Sequence, residues 1–388
     1  MSSNPTLGME TRVRKQQRER RDANAGEAIP SLLNDIVVTH VLRSEYFDDP
    51  ADLARLPAVS RVMRDAVAAT GLTFAELGED EAVMLGCLSA LQRRQRGGRL
   101  SCQELICAAA ARSGQLEELQ ALRADGWPWD KQTCVVAALG GHLEVLQWLR
   151  ASGCPWDSDT CTGAAHGGHL EVLQWERANG CPWDKVTCAV AAKYGHLDVL
   201  QWAHTNGCLW DERTCSRAAT GGHLEVLQWA RANGCPWCVN TCAWAAGEGH
   251  LEVLQWARAN DCPWDEMTCW RAAEGGHLEV LQWARTNGCP WNANTCSWAA
   301  LGGHLEVLQW ARANGCPWDK YTCQFAAVEG HLDILKWARA NGCPWTASTR
   351  ETAADLGYIE SDGSLSDESS DDDSLSDESD DDDDETSE

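Results

Sequence analysis

Cysteine and histidine are the residues of this chain that could ligate a metal or exchange electrons, and there are 20 and 11 of them in 388 residues. The sharpest arrangement is Cys235-Pro-Trp-Cys238 followed by Cys242 and His250, because C-x-x-C is a spacing used by zinc sites and by thiol-exchange centres. The surrounding sequence points to something plainer. Cys235 and Cys242 have counterparts throughout the middle of the chain, which leaves Cys238 as the one addition. His142, His169, His196, His223, His250, His277, His304 and His331 fall 27 residues apart without insertion or deletion, and Cys134 to Cys323 keep the same step. A catalytic centre is a singular constellation, whereas a residue repeated at every step serves a repeated interface. The histidines are therefore expected to bond the backbone of a neighbouring unit, and the cysteines to be reduced and buried as small apolar groups. P-loop, H-E-x-x-H, G-x-G-x-x-G and G-x-S-x-G patterns are missing. The expectation is a protein without enzymatic activity, metal or cofactor.

A period in this range belongs to stacked supersecondary units, and each unit carries its own punctuation. The residue after each Pro-Trp or its equivalent reads Asp130, Asp157, Asp184, Asp211, Cys238, Asp265, Asn292, Asp319 and Thr346, and all but Cys238 are good helix N-caps. A first helix runs from there to Gly140-Gly141 or their equivalents. A second helix, H-L-E-V-L-Q-W-A-R-A-N, ends at an Asn-Gly suited to a left-handed cap, and Cys-Pro-Trp turns the chain back. Leu143, Val145, Leu146, Trp148 and Leu149 share a broad apolar arc, as a helix flanked on both sides requires. The helix tryptophans, such as Trp229 and Trp256, are expected to be buried. On the first helix Thr133, Cys134, Ala137 and Ala138 barely vary between units and form the stacking arc. Gln132, Val135, Val136 and Leu139 lie on the opposite, varying arc.

The segment T-C-x-x-A-A-x-x-G-H-L-E-V-L-Q-W resembles the ankyrin repeat's T-P-L-H-x-A-A-x-x-G-H-L-E-V-V-K-L-L, shortened from 33 residues to 27. The turn finger is what is missing, and Cys stands where that family has the Pro of T-P-L-H. Short repeats rich in G-C-P-W-D resemble ankyrin-like proteins of algae and other protists. The resemblance covers residues 103–359 and implies an all-α solenoid of stacked helix pairs, with the outermost units degenerate. Gln115, Ala121 and Trp127 replace the usual His, Trp and Cys in the first unit, and Tyr358 replaces His in the last.

Outside the repeats, residues 1–27 read as a disordered basic arm, with Arg12, Arg14, Lys15, Arg18, Arg20 and Arg21 within ten residues. Residues 28–70 read as a small helical module. Ile29-Pro30, Asp35-Ile36, Val41-Leu42, Pro50-Ala51-Asp52-Leu53, Leu56 and Val59-Ser60-Arg61 resemble the F-box, although Met63 stands at that family's Trp. The resemblance implies docking of a Skp-type adaptor through Pro30, Leu32, Leu33, Ile36, Leu53, Leu56 and Val59; the alternative is a plain cap on the repeats. Residues 71–102 read as a helical linker with an apolar helix near Met84 to Leu91. Residues 360–388 carry 16 acids and no base, out of a net charge of −26 for the chain, and read as a disordered acidic tail. Ser366 and Ser376 each precede Asp-Glu and resemble acidophilic kinase sites.

No apolar run of about 18 residues and no charged-then-apolar leader is present, so an intracellular protein, cytoplasmic or nuclear, is expected. Its function is expected to be holding a protein partner, with neither membrane nor nucleic acid involved, and the chain itself is expected to be a monomer. The partner site is expected on the varying arc at Arg217, Trp244, Trp270, Arg271, Trp298 and Phe325, since Trp and Arg dominate binding hot spots. The alternative for these rings is filling gaps between adjacent first helices. If the F-box resemblance holds, the repeats select substrates for an SCF-type ubiquitin ligase; otherwise they form a scaffold or anchor.

Overall fold

The computed structural model describes residues 78–357, which form 21 α-helices and no strand. None of these helices is long and apolar enough to cross a membrane. Residues 28–70, and with them the F-box-like positions, lie outside the described residues. The chain divides into two units, one ending at Trp210 and one beginning at Asp211.

In the first unit the helices are α1 (Glu79–Met84), α2 (Leu88–Arg96), α3 (Glu104–Arg112), α4 (Leu116–Ala124), α5 (Lys131–Leu139), α6 (Leu143–Ala151), α7 (Ser158–Gly167), α8 (Leu170–Ala178), α9 (Lys185–Lys193) and α10 (Leu197–Thr205). First helices pack side by side, α3 on α5, α5 on α7 and α7 on α9, while each second helix folds back on its own first helix. Ala137, Ala138, Ala164 and Ala165 are wholly buried at these contacts. Gly163 marks a close approach, since a Cβ there would lie 2.6 Å from the Val135 carbonyl oxygen of α5. The linker's expected single helix is broken at Gly86, whose φ of 65° turns the chain into the short pair α1 and α2 packed on α3.

The punctuation works as its chemistry requires. Asp130, Asp157 and Asp184 accept hydrogen bonds from the N–H groups of Gln132, Asp159 and Val186 at 2.8–3.1 Å, satisfying orphan donors of the first turn. At the other end, the Nε2 of His142 lies 3.1 Å from the Arg112 carbonyl, and that of His196 lies 3.0 Å from the His166 carbonyl. His169 bonds Leu139 in the same way. These carbonyls sit at the C-terminal ends of the preceding first helices, where no helical partner exists. A carbonyl can only accept, so Nε2 carries the hydrogen in each ring. The left-handed Gly141, with φ of 76°, lies under the next histidine: a Cβ there would meet the His169 ring at 2.5 Å. The G-H dipeptide thus serves two successive steps at once.

The cysteines pair within each repeat. The turn thiol of Cys154 donates to the Asp130 carbonyl at 3.2 Å, and those of Cys181 and Cys208 do likewise to Asp157 and Asp184. The helix thiols of Cys134 and Cys161 lie on the sulfurs of Cys154 and Cys181. All are buried and none is in a disulfide. The hydrogen bond with the neighbouring sulfur and burial push the thiols of Cys134 and Cys161 far up, so these helix thiols are protonated structural groups.

The second unit contains α11 (Glu212–Thr220), α12 (Leu224–Ala232), α13 (Val239–Gly247), α14 (Leu251–Ala259), α15 (Glu266–Glu274), α16 (Leu278–Thr286), α17 (Ala293–Leu301), α18 (Leu305–Ala313), α19 (Lys320–Val328), α20 (Leu332–Ala340) and α21 (Ala347–Asp355). It is built on the same stacked pairs, with His250 bonded to the Thr220 carbonyl and His331 to the Leu301 carbonyl, each at 3.1 Å. Asp211, Asp265, Asn292, Asp319 and Thr346 cap their helices, whereas Cys238 makes no side-chain cap bond. Asp261 takes the left-handed conformation, φ 63°, that Gly adopts in the other turns.

One expectation about the core is corrected. The helix tryptophans are half-buried, because they lie at the margin of the second helix and belong to an outer column of side chains. The Arg150 guanidinium lies 4.1 Å above the Trp156 ring, and Trp156 meets Trp175 edge-on at 5.8 Å. Arg258, Trp264 and Trp283 repeat the motif in the second unit, and Arg150 and Arg258 also donate to the Cys154 and Cys262 carbonyls. The largest fully buried side chains are mostly leucines, Leu146, Leu173, Leu227 and Leu254 among them.

Candidate functional site

The varying arc behaves differently in the two units. In the first, the phase of Val136 carries Gly163 and Val190; Val136 and Gly163 are buried, so this stretch of the arc is packing surface rather than free face. Glycine at 163 follows from the close approach of α7 to the Val135 carbonyl of α5. In the second unit the same phase reads Arg217, Trp244, Arg271, Trp298 and Phe325, with Trp270 one residue before Arg271.

These side chains touch one another in sequence. The Arg271 guanidinium lies 4.3 Å from the centre of the Trp244 ring and 4.5 Å from that of Trp270, and its Nη1 pairs with Glu274 at 2.7 Å. Trp270 stacks on Trp298 with centroids 5.0 Å apart and an interplanar angle of 23°. Trp298 meets Phe325 at 6.2 Å, and Phe325 meets Tyr321 at 6.1 Å. The result is a continuous ridge running across α13, α15, α17 and α19. Trp244, Trp270, Arg271, Trp298 and Phe325 are half-buried, and Tyr321 is exposed. Part of each ring therefore fills the gap to its neighbour and part faces outward.

Beside Trp244 the ridge opens into a pocket of about 260 Å³ lined by Glu212, Arg213, Ser216, Arg217, Thr220, Asn240 and Trp244. Ser216 and Thr220 spend their hydroxyl hydrogens on the Glu212 and Ser216 carbonyls. Arg213 and Arg217 are exposed, and neither guanidinium has an ion pair or hydrogen bond among the described residues. An apolar ridge ending in two unengaged guanidiniums can hold aromatic or aliphatic side chains along its length and a carboxylate at its end.

The cysteine-rich stretch is taken apart by the fold. Cys235 lies on Cys215, Cys242 lies on Cys262, and half-buried Cys238 occupies a helix N-cap. The ring of His250 is engaged with the Thr220 carbonyl. Among the described residues no three of His, Cys, Asp and Glu are grouped to hold a metal ion. Sequence reasoning missed Glu176, which is fully buried on α8. Its signal was legible: this position is Leu149, Ala203, Ala230, Ala257, Ala284, Ala311 or Ala338 in the other repeats.

No protein-family model and no curated protein matches the chain. Among solved structures it is similar to the human ASB11 ankyrin repeat domain, with 16% identity over 40% of this chain and 84% of that one and a TM-score of 0.34.

Proposed function

We propose that the chain is a protein-interaction protein whose partner lies along the ridge from Arg217 to Phe325. The observation that carries this reading is the row of half-buried aromatic residues on the second unit at a phase held by Val136, Gly163 and Val190 in the first. A stacking frame that works with Val and Gly does not require Trp, and contiguous aromatic surface on a folded protein marks an interaction site. The partner contacts the ridge through apolar groups, so binding resists salt. The test is capture by the full chain and by a variant with Trp244, Trp270 and Trp298 changed to Ala together. A protein recovered with the wild type alone is then purified and titrated against both chains, with circular dichroism reporting the fold. Equal affinity for a folded triple variant removes the site from the ridge.

The finer reading joins this face to the F-box-like segment: residues 28–70 dock a Skp-type adaptor and the repeats present substrate to an SCF-type ubiquitin ligase. Its support is the match of Ile29-Pro30, Asp35-Ile36, Val41-Leu42, Pro50-Ala51-Asp52-Leu53, Leu56 and Val59-Ser60-Arg61 to that family's pattern, and the docking residues are Pro30, Leu32, Leu33, Ile36, Leu53, Leu56 and Val59. The full chain is expected to bind the adaptor, and Leu32→Asp with Leu33→Asp to abolish binding. No adaptor binding by the wild type at tens of micromolar leaves a scaffold or anchor with no ubiquitin link.

A further inference from the structure

Glu176 is the singular residue of the repeat frame. It is 0% exposed, and neither carboxyl oxygen reaches a hydrogen-bond partner. The titratable groups acting on it are Cys181 in the following turn and Cys161 on α7. Arg150 on α6 and Arg177 on α8 act on Cys181 and do not pair with the carboxyl. Arg177 is spent on the Cys181 carbonyl and the Trp183 ring. Burial without a cation, reinforced by Cys181 and only partly offset by the Cys161 thiol, keeps the carboxyl protonated, pushed up to about 9. No other thiol pair has a carboxyl at this position, because the remaining repeats place Leu or Ala there.

We propose that the repeat formed by α7 and α8 is the local opening point of the first unit, and that Cys161 and Cys181 are thereby, among the buried thiol pairs, the one that opening exposes to soft electrophiles. Closed, the two thiols are wholly buried and inert like their counterparts. Opening brings Glu176 into water, where it ionises, and exposes the thiols with it. A thiolate then attacks an electrophilic double bond: the S–C bond forms, the π bond opens, and the adjacent carbon takes up a proton equivalent to the one the thiol lost. Because opening releases one proton from Glu176, its equilibrium constant rises about tenfold per pH unit between the carboxyl's unfolded and folded values. Thiol ionisation in the opened state adds a further pH dependence that is common to all the pairs.

The paired cysteines elsewhere are internal controls. The full chain is exposed to N-ethylmaleimide at pH 6, 7 and 8, and adduct at Cys181 and at Cys262 is read by peptide mass spectrometry. The ratio of the two rates is expected to exceed one and to climb about tenfold per pH unit. Glu176→Gln keeps a buried polar group but cannot titrate, so Cys181 stays the faster site while the climb disappears. Glu176→Leu restores the residue of the neighbouring repeat, and Cys181 slows to the rate of Cys262. A wild-type ratio near one, a ratio that does not change with pH, or a climb that persists in Glu176→Gln overturns the proposal.

Discussion

In the first unit Val136, Gly163 and Val190 occupy the phase that Arg217, Trp244, Arg271, Trp298 and Phe325 occupy in the second. Both units keep the same caps, the same histidine bonds and the same buried thiol pairs. The difference shows how a repeat separates what holds it together from what it presents. Positions that satisfy backbone groups or fill the space between close helices repeat without change, since a single failure leaves an orphaned carbonyl or a cavity. The remaining phase is under no such demand: it is Gly163 where α7 meets the Val135 carbonyl of α5, and aromatic where a ridge is built. Each unit also has its own defect in the frame: the buried acid Glu176 in the first, the missing cap at Cys238 in the second.

The defects give the comparison its largest measurable consequence. Glu176 is protonated when folded and ionised when unfolded, so its stability contribution is whole below about pH 4.3 and declines as pH rises toward about 9. At about 1.4 kcal/mol per pH unit, Glu176→Leu is expected to stabilise the first unit by about 4 kcal/mol at pH 7.5, a gain whose pH-dependent part vanishes below pH 4. Urea unfolding of the variant across that range measures it, and a gain independent of pH would mean that the carboxyl is ionised in the fold. The histidines act in the opposite direction and in both units. Burial depresses His169 and His277, so stability falls as pH drops below about 6.5, where the unfolded rings take up protons first. The first unit should therefore weaken on both sides of neutrality and the second on the acid side.

Smaller effects sharpen the assignment of frame and face. Leu254→Ala removes a fully buried side chain and should cost about 2 to 5 kcal/mol. Trp256→Ala removes a half-buried ring held edge-on by Trp237 and should cost about 2 kcal/mol or less. Hydrogen exchange should rise first in the altered repeat and its immediate neighbours, since coupling in stacked repeats is local. Smallest of all, Cys238→Asp supplies the cap found in the other repeats and should add about 1 kcal/mol to the second unit, read as a shift in its unfolding midpoint.

Much of this was readable from residue types alone. Asp or Asn after Pro-Trp and Gly before His mark helix ends because few residues can do that work, and the caps and turns fall where those residues stand. The histidine's use was legible as a bond to a neighbouring unit, while its particular acceptor, a carbonyl at the C-terminal end of the preceding first helix, needed the stacked geometry. Helical phase misjudged Trp148 and its counterparts: an apolar arc shows which side is covered, not how far the covering reaches. The thiol pairs were hidden because Cys134 and Cys154 stand twenty residues apart and meet through the turn. Glu176 was visible as an odd residue, but its full burial followed from a position Ala normally fills.

The claim that the frame carries the fold and the ridge carries the binding is tested most directly by giving the second unit the first unit's residues. Arg217, Trp244, Arg271, Trp298 and Phe325 are all changed to Val in the full chain, and unfolding is followed alongside titration of a purified partner. The account predicts a chain that remains folded and helical and loses that partner. A chain that fails to fold would make the ridge part of the frame, and a folded chain that binds as before would place the partner on another surface.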